Sequence, residues 1–170
     1  MPRWWAWTDR GWTARGAADH RATAYEDGTL VTRVGALHAD HATPDDHPTG
    51  RPTSSSTLPT LLVNMYHRVW IGDTDHVLCV TGTGYATALL ARRFGDRRVT
   101  SIDVDPHLVA AAAECLESVG LQPQVKECGI TGPLPVGYGS TDRVVSTVGS
   151  PAFPRSRLNA LAWPGRLVTR

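Results

Sequence analysis

The residues with the most chemical content lie between Val77 and Asp103. A short apolar run, Val77-Leu78-Cys79-Val80, meets Thr81-Gly82-Thr83-Gly84-Tyr85. Lacking Cβ atoms, Gly82 and Gly84 can take positive φ and let a ligand lie against the backbone. A helix starting near Tyr85 points unpaired N–H groups and the positive end of its dipole toward that ligand. Asp103 stands nineteen residues beyond Gly84, about where a carboxylate meets ribose hydroxyls. The chemistry these residues suit is the holding of a nucleotide-like cofactor. Two alternatives stay open on the motif alone. Gly-x-Gly after a strand is often just a tight turn, and nicotinamide cofactors use the same unit. Thr87, at the third small position of a dinucleotide fingerprint, suits close helix–strand packing poorly.

A second group is Thr53-Ser54-Ser55-Ser56-Thr57, five hydroxyl residues ahead of Leu58-Pro59. One hydroxyl is enough to cap the helix that follows, so the run exceeds that need. A third group, His38, Asp40, His41, Asp45, Asp46 and His47, has metal-ligand types. It sits among Pro44, Pro48, Gly50 and Pro52 without helical or strand spacing to fix a geometry, and a solvated polar loop is the expectation. Cys79, Cys115 and Cys128 show no CxxC spacing and read as small buried thiols of a reduced, cytoplasmic protein.

The elements that must position these residues follow from periodicity. Leu30–Val34 reads as a strand and residues 35–53 as a loop. Pro59–Val69 reads as a helix with Leu61, Leu62, Met65 and Val69 inward. Strand one covers His76–Thr81, its helix Tyr85–Phe94 ends at Gly95-Asp96, and strand two covers Val99–Val104. Asp105-Pro106 starts a helix with Leu108, Val109, Ala112, Leu116 and Val119 inward, stopped by Gly120. Gln124–Glu127, Asp142–Thr147 and Arg166–Thr169 are strands three to five, with a short helix over Pro154–Ala162. This alternation implies an α/β chain with a parallel, doubly wound sheet. Residues 1–57 are expected to be an N-terminal cap and loop segment, its Trp-rich start a cap or a poorly ordered end. Residues 58–170 are expected to form the Rossmann-like domain.

Composition excludes several classes. The 170 residues are 41% hydrophobic, a globular composition. A formal net charge of +1, with scattered Arg, offers no field for nucleic acid or anionic lipid. No run approaches a membrane span, and Met1-Pro2-Arg3-Trp4 does not open a secretory segment.

Several segments in order resemble the protein-L-isoaspartate O-methyltransferase family. They are Ala24-Tyr25-Glu26-Asp27 with Leu30, then Thr53–Pro59, Val77–Leu90, Ser101-Ile102-Asp103-Val104-Asp105-Pro106, Asp142-Arg143-Val144-Val145 and Trp163-Pro164-Gly165-Arg166-Leu167-Val168. The serine-rich run with Gly-Thr-Gly-Tyr looks closest to a branch associated with ribosomally made, modified peptides. The resemblance implies an S-adenosylmethionine-dependent methyltransferase with sheet order 3-2-1-4-5. It implies a substrate that is a protein or peptide bearing isoaspartyl or aspartyl residues. It places Cys79, Thr81, Gly82, Thr83, Gly84 and Tyr85 at the cofactor's methionine part. Asp103 and Val104 would lie at the ribose, Cys128 and Gly129 beside the adenine, and Ser55, Ser56 and Thr57 at the substrate carboxyl group.

The departures are specific. The family has an acid where Cys79 stands, an Asp where Cys128 stands, three alternating glycines and a Pro-Gly-Gly. This chain has a first motif one residue shorter and only Pro164-Gly165. The family also continues through strands 6 and 7, which this chain lacks, so an exposed fifth-strand edge is expected to favour self-association. Three functional readings follow: a carboxyl methyltransferase, a relative defective in cofactor binding that acts as a peptide-binding module, and an NAD-dependent oxidoreductase.

Overall fold

The computed structural model describes residues 3–16, 23, 26–129, 133–149 and 154–170. Ala24 and Tyr25 of the upstream motif lie outside them. The chain divides into two compact units, Met1–Leu61 and Leu62–Arg170.

The Trp-rich start of the first unit is not a loose end. Trp4–Thr8 (β1) and Gly11–Arg15 (β2) pair antiparallel as a hairpin, in register from Trp4↔Arg15 to Thr8↔Gly11. Leu30–Val34 (β3) pairs with β1 at Trp5↔Val31, and with Leu37–His38 (β4) and Pro52–Ser56 (β5). Residues 35–53 are therefore not one loop: β4, a 3-10 turn at Ala39–His41 and the start of β5 lie within them. The result is a five-stranded sheet in the order β2-β1-β3-β4, with β5 on β3. Trp5, Val34, Ala39 and Ala42 form its buried cluster. The Trp5 indole N–H, carried inside, donates to the Leu37 carbonyl at 3.3 Å, so the buried polar atom is satisfied.

The helix Pro59–Val69 (α1) buries Leu62, Met65 and Val69. Beyond it, the described residues hold five strands and three α-helices. They are Val77–Val80 (β6), Tyr85–Phe94 (α2), Val99–Asp103 (β7), Pro106–Ser118 (α3), Gln124–Glu127 (β8), Thr141–Ser146 (β9), Arg155–Ala160 (α4) and Leu161–Thr169 (β10). The strands form one sheet in the order β10-β9-β6-β7-β8, every neighbouring pair parallel. All four residues of central β6 are buried, the pattern of a strand covered on both faces. Leu78 and Val80 join Ile102, Val144 and Ala160 in one cluster, and Val77 and Cys79 alternate to the opposite face. Burying a Leu or Val fully stabilises by ~1.5–3 kcal/mol, so this strand anchors the unit.

Asp105 caps α3 as its spacing implies, accepting the His107 N–H at 3.0 Å with Pro106 at the first helical position. Leu108, Ala112 and Leu116 face inward, but Val119 does not and is 48% exposed. The helix ends one residue before it, and the Leu121 N–H turns back to the Leu116 carbonyl at 2.9 Å around Gly120 at φ +74°. At the other end of the sheet, Asp75 accepts the Gly72 N–H at 2.7 Å and pairs with Arg143 at 3.0 Å. This ties the turn after α1 to β9.

Candidate functional site

In a parallel sheet, the loops after the strands share one edge, and ligands lie where the strand order reverses. Here that place is the carboxyl end of β6, flanked by β7 and β9. The residues from Thr81 to Tyr85, Asp103 to Asp105, Cys128-Gly129 and Thr147 all follow strands at that edge. Sequence reasoning did not single out Thr147, whose hydroxyl and N–H both donate to the Val80 carbonyl, at 3.1 and 3.2 Å. A polar residue just past the fourth strand was the available signal.

The two glycines do different work. Gly84 takes φ +77° as the N-cap of α2, and a Cβ there would lie 3.0 Å from that of Ala112. Gly82 does not take a positive φ, contrary to the sequence expectation; its role is space. A Cβ on Gly82 would lie 2.7 Å from Asp103 Oδ2 and 2.8 Å from Leu108 Cδ1. The absent side chain is therefore what lets the turn, Asp103 and α3 meet. Leu108 and Ala112, spaced i and i+4 on α3, are the wall behind the turn, a contact that no local window contains.

Asp103 is half-buried at the end of β7. Its Oδ1 accepts the Asp105 N–H at 2.8 Å, and its backbone carbonyl accepts the Cys128 N–H at 2.8 Å. Burial pushes its pKa above the usual carboxylate value, and the nearby Asp105 charge adds to this. The Asp105 and Val104 N–H groups pull in the other direction. Val104 next to it is 67% exposed.

Thr81 and Thr83 are buried and Tyr85 is half-buried. The Tyr66 hydroxyl, from α1, donates to the Ala86 carbonyl at 2.9 Å in the first turn of α2. Burial, with Cys79 and Tyr85 close by, raises the Tyr66 pKa and keeps the phenol protonated. Cys79 is 1% exposed, set between Ser101 and Val145 in register, and burial alone pushes its thiol far up. It is a neutral, enclosed group at neutral pH.

Cys128 follows β8 with its sulfur 3.3 Å from the Pro133 carbonyl and 3.4 Å from that of Gly129. Burial raises its pKa as well. Gly129 has open space around it, with nothing within 4 Å of an added Cβ.

The hydroxyl run belongs to the first unit and is a strand rather than a cap. Ser54, Ser55 and Ser56 are half-buried in β5, and Thr57 is buried just past its end. Alternation puts Ser55 on the face opposite Ser54 and Ser56, so the three serines do not act from one side. Ser54 accepts the Thr32 hydroxyl at 2.9 Å. The cap of α1 comes instead from Asp27, whose carboxylate accepts the Thr60 N–H at 2.9 Å. In the His/Asp-rich segment, Asp46 accepts the Thr43 N–H at 2.7 Å and its hydroxyl at 2.8 Å. Among the described residues, no three His, Cys, Asp or Glu side chains form a group able to hold a metal ion.

The family model described as "Methyltransferase domain" matches residues 77–163, half of the chain. Protein-L-isoaspartate O-methyltransferase 2 of Pelobacter propionicus is 34% identical over 133 residues, which are 77% of this chain and 56% of that protein. The chain spans about half the length of the curated relatives it matches. A solved protein-L-isoaspartate O-methyltransferase superimposes with TM-score 0.67 at 23% identity, over 88% of this chain and 43% of that one. Geranyl diphosphate C-methyltransferase from Streptomyces coelicolor A3(2), solved with S-adenosyl-L-homocysteine, gives 0.58 at 15% identity over 65% and 44%. These two likenesses show a shared Rossmann-like methyltransferase fold. The chain belongs to the methyltransferase-domain family, and the protein-L-isoaspartate O-methyltransferases are among its relatives.

Proposed function

We propose that the chain is an S-adenosylmethionine-dependent O-methyltransferase that esterifies isoaspartyl or aspartyl side-chain carboxylates of a protein or ribosomally made peptide. The observation that carries the cofactor half is the seat of Asp103 against Gly82, where a single Cβ would collide with the carboxylate. That cradle fits an adenosyl ligand: Asp103 accepts hydrogen bonds from a ribose diol, and the start of α2 offers N–H groups to a carboxylate. When bound, S-adenosylmethionine supplies an electrophilic methyl group. The kinship with protein-L-isoaspartate O-methyltransferases supports the substrate half.

The chain's own residues have a modest task in this reaction. A substrate carboxylate is already ionised at neutral pH, so no general base is needed. Orientation of the reacting oxygen is the main contribution, and alignment alone is worth ~7–11 kcal/mol. The resemblance assigns Ser55, Ser56 and Thr57 to the substrate carboxylate; because alternation turns Ser55 to the face opposite Ser56, this reading gives the hydrogen bonds that hold the carboxylate, without removing its charge, to the hydroxyls of Ser56 and Thr57. The ester product is a better leaving group than a carboxylate, and a neighbouring backbone nitrogen then closes a succinimide unaided.

One observation favours a second reading, a peptide-binding relative without turnover. Cys79 is enclosed and neutral at the position where the resembling family carries an acid. Calorimetry with S-adenosylhomocysteine and a methyl-transfer assay on isoaspartyl and aspartyl peptides separate the two. Binding with turnover supports the enzyme; no binding in a folded sample overturns the cofactor half. Binding without turnover on either peptide supports the second reading.

A further inference from the structure

Two buried hydroxyls lie directly beneath the glycine turn. Thr87, in the first turn of α2, is 0% exposed, and Ser101, in the middle of β7, is 1% exposed. The Thr87 hydroxyl donates to Ser101 Oγ at 3.0 Å. The Ser101 hydroxyl donates in turn to the Thr81 carbonyl at 3.4 Å. The Thr81 N–H meets the Ile102 carbonyl at 3.1 Å. Thr81 precedes the glycines and Thr87 follows them, so both ends of the turn are fastened to adjacent residues of β7, and one side chain, Ser101, joins them.

This arrangement replaces what a third small residue does in a dinucleotide fingerprint. There the helix is brought close by the lack of a side chain. Here a Thr occupies the place and the approach is set by a hydrogen bond of fixed length and direction. Water does not reach either hydroxyl, so removing one leaves a buried polar partner without its bond.

We propose that Thr87 and Ser101 are positioning residues for the cofactor turn: their hydroxyl relay sets the spacing of β6 and α2, and with it the direction of the N–H groups at the start of α2. The proposal rests on the cofactor reading above and adds residues that shape the turn without touching the ligand. It also explains why the turn holds its form with two glycines. Gly84 fixes the bend, Gly82 clears Asp103, and the relay takes over the helix–strand contact.

The test uses Thr87→Val, which keeps the shape and removes the hydroxyl, Thr87→Ser, which keeps the hydroxyl, Ser101→Ala, and the Thr87→Val/Ser101→Ala pair. Two quantities are measured on the full chain: the dissociation constant for S-adenosylhomocysteine by calorimetry, and amide hydrogen exchange of residues 82–87 without ligand. Thr87→Val and Ser101→Ala are each expected to weaken binding about ten-fold. The double variant is expected to lose no more than the worse single one, because either change already breaks the relay. Thr87→Ser is expected to bind as the unmodified protein does. Amides 82–87 should exchange about ten-fold faster in the hydroxyl-free variants while Val144 and Val145 keep their protection.

Affinities within two-fold with unchanged exchange would overturn the proposal. So would exchange at 82–87 that rises in step with Val144 and Val145, which is the mark of a merely structural pair. An unmodified protein that binds no S-adenosylhomocysteine would count against the cofactor reading alone, and hydrogen exchange would still decide the relay.

Discussion

Gly82→Ala is the substitution whose consequence the structure states most directly. The new Cβ would stand 2.7 Å from Asp103 Oδ2, 3.3 Å from its Cγ and 2.8 Å from Leu108 Cδ1. Real Cβ atoms essentially never come within 3.0 Å of a neighbour, so something must move. Leu108 is the end of a flexible side chain, but it is buried and must repack. The Asp103 carboxylate is anchored by the Asp105 N–H at 2.8 Å, so turning it away sacrifices that bond. Overpacking of this kind costs ~1–3 kcal/mol. For a chain of this length that lowers the melting temperature by ~2–4 °C per kcal/mol. In the proposed site, displacing the carboxylate from the ribose removes a charge-assisted contact worth ~1.5–3 kcal/mol, or about ten- to a hundred-fold in affinity for S-adenosylhomocysteine.

Three other glycines serve as internal controls for the same reasoning. Gly95, at φ +92° with open space, should lose ~1–3 kcal/mol on Gly95→Ala from backbone strain alone and keep its ligand affinity. Gly129 has neither constraint, and Gly129→Ala should leave the melting temperature unchanged. Gly84 has both, a positive φ and Ala112 at 3.0 Å, and Gly84→Ala should be the most damaging of the four. Scanning calorimetry and titration calorimetry on the four variants give the two readings. A Gly82→Ala protein that melts and binds like the unmodified one would refute the account of the turn. A Gly129→Ala protein that melts at a lower temperature than Gly82→Ala would refute it equally.

Because the Asp103 pKa is raised in the fold, its contribution to stability is fully present below the unfolded value of 3.8 and is lost as pH rises through the folded pKa. In the proposed site the ionised carboxylate accepts the ribose hydroxyls, so S-adenosylhomocysteine affinity should fall as pH drops through the raised Asp103 pKa, and titrations of Asp103→Asn should lack that step. Asp103→Ala should weaken binding at neutral pH by about ten-fold or more in a folded protein; unchanged affinity would remove Asp103 from the site. Ser56→Ala with Thr57→Val should abolish methyl transfer while cofactor affinity stays nearly intact, and surviving activity in a peptide assay would leave β5 a structural strand only. Cys79→Glu would enclose a carboxylate at a position 1% exposed, so chemical denaturation should show a loss of ~3 kcal/mol or more rather than a gain in binding.

The sequence alone determined those elements whose signals are local. α1 and α2 run over Pro59–Val69 and Tyr85–Phe94, as the apolar spacing implies, and β8 over Gln124–Glu127. Asp105 with Pro106, and Gly95 with its φ of +92°, mark helix ends because capping and left-handed backbone are decided within a few residues. A strand pairing is different: its partner lies outside any local window. Hence Trp4–Thr8 and Gly11–Arg15 gave no sign of a hairpin. Their spacing lacks clean alternation, because Trp residues stand on both faces and only Trp4 and Trp5 are buried.

The same distinction runs through the site. Residue types at Gly82, Gly84 and Asp103 suggested a cradle, since the chemistry of glycine and carboxylate is written in their side chains. The division of labour between the glycines was not. It depends on Asp103, Leu108 and Ala112, which other elements bring to the turn. The cap of α1 comes from Asp27, thirty-three residues before Thr60, and most of the hydroxyl run ahead of that helix is a strand because β3 offers it backbone partners. Thr87 looked like a mismatch until β7 placed Ser101 within 3.0 Å of it. Sequence set the chemistry that each residue can offer; tertiary structure decided which partner it meets, because burial and hydrogen-bond satisfaction are properties of the packed chain and not of the segment.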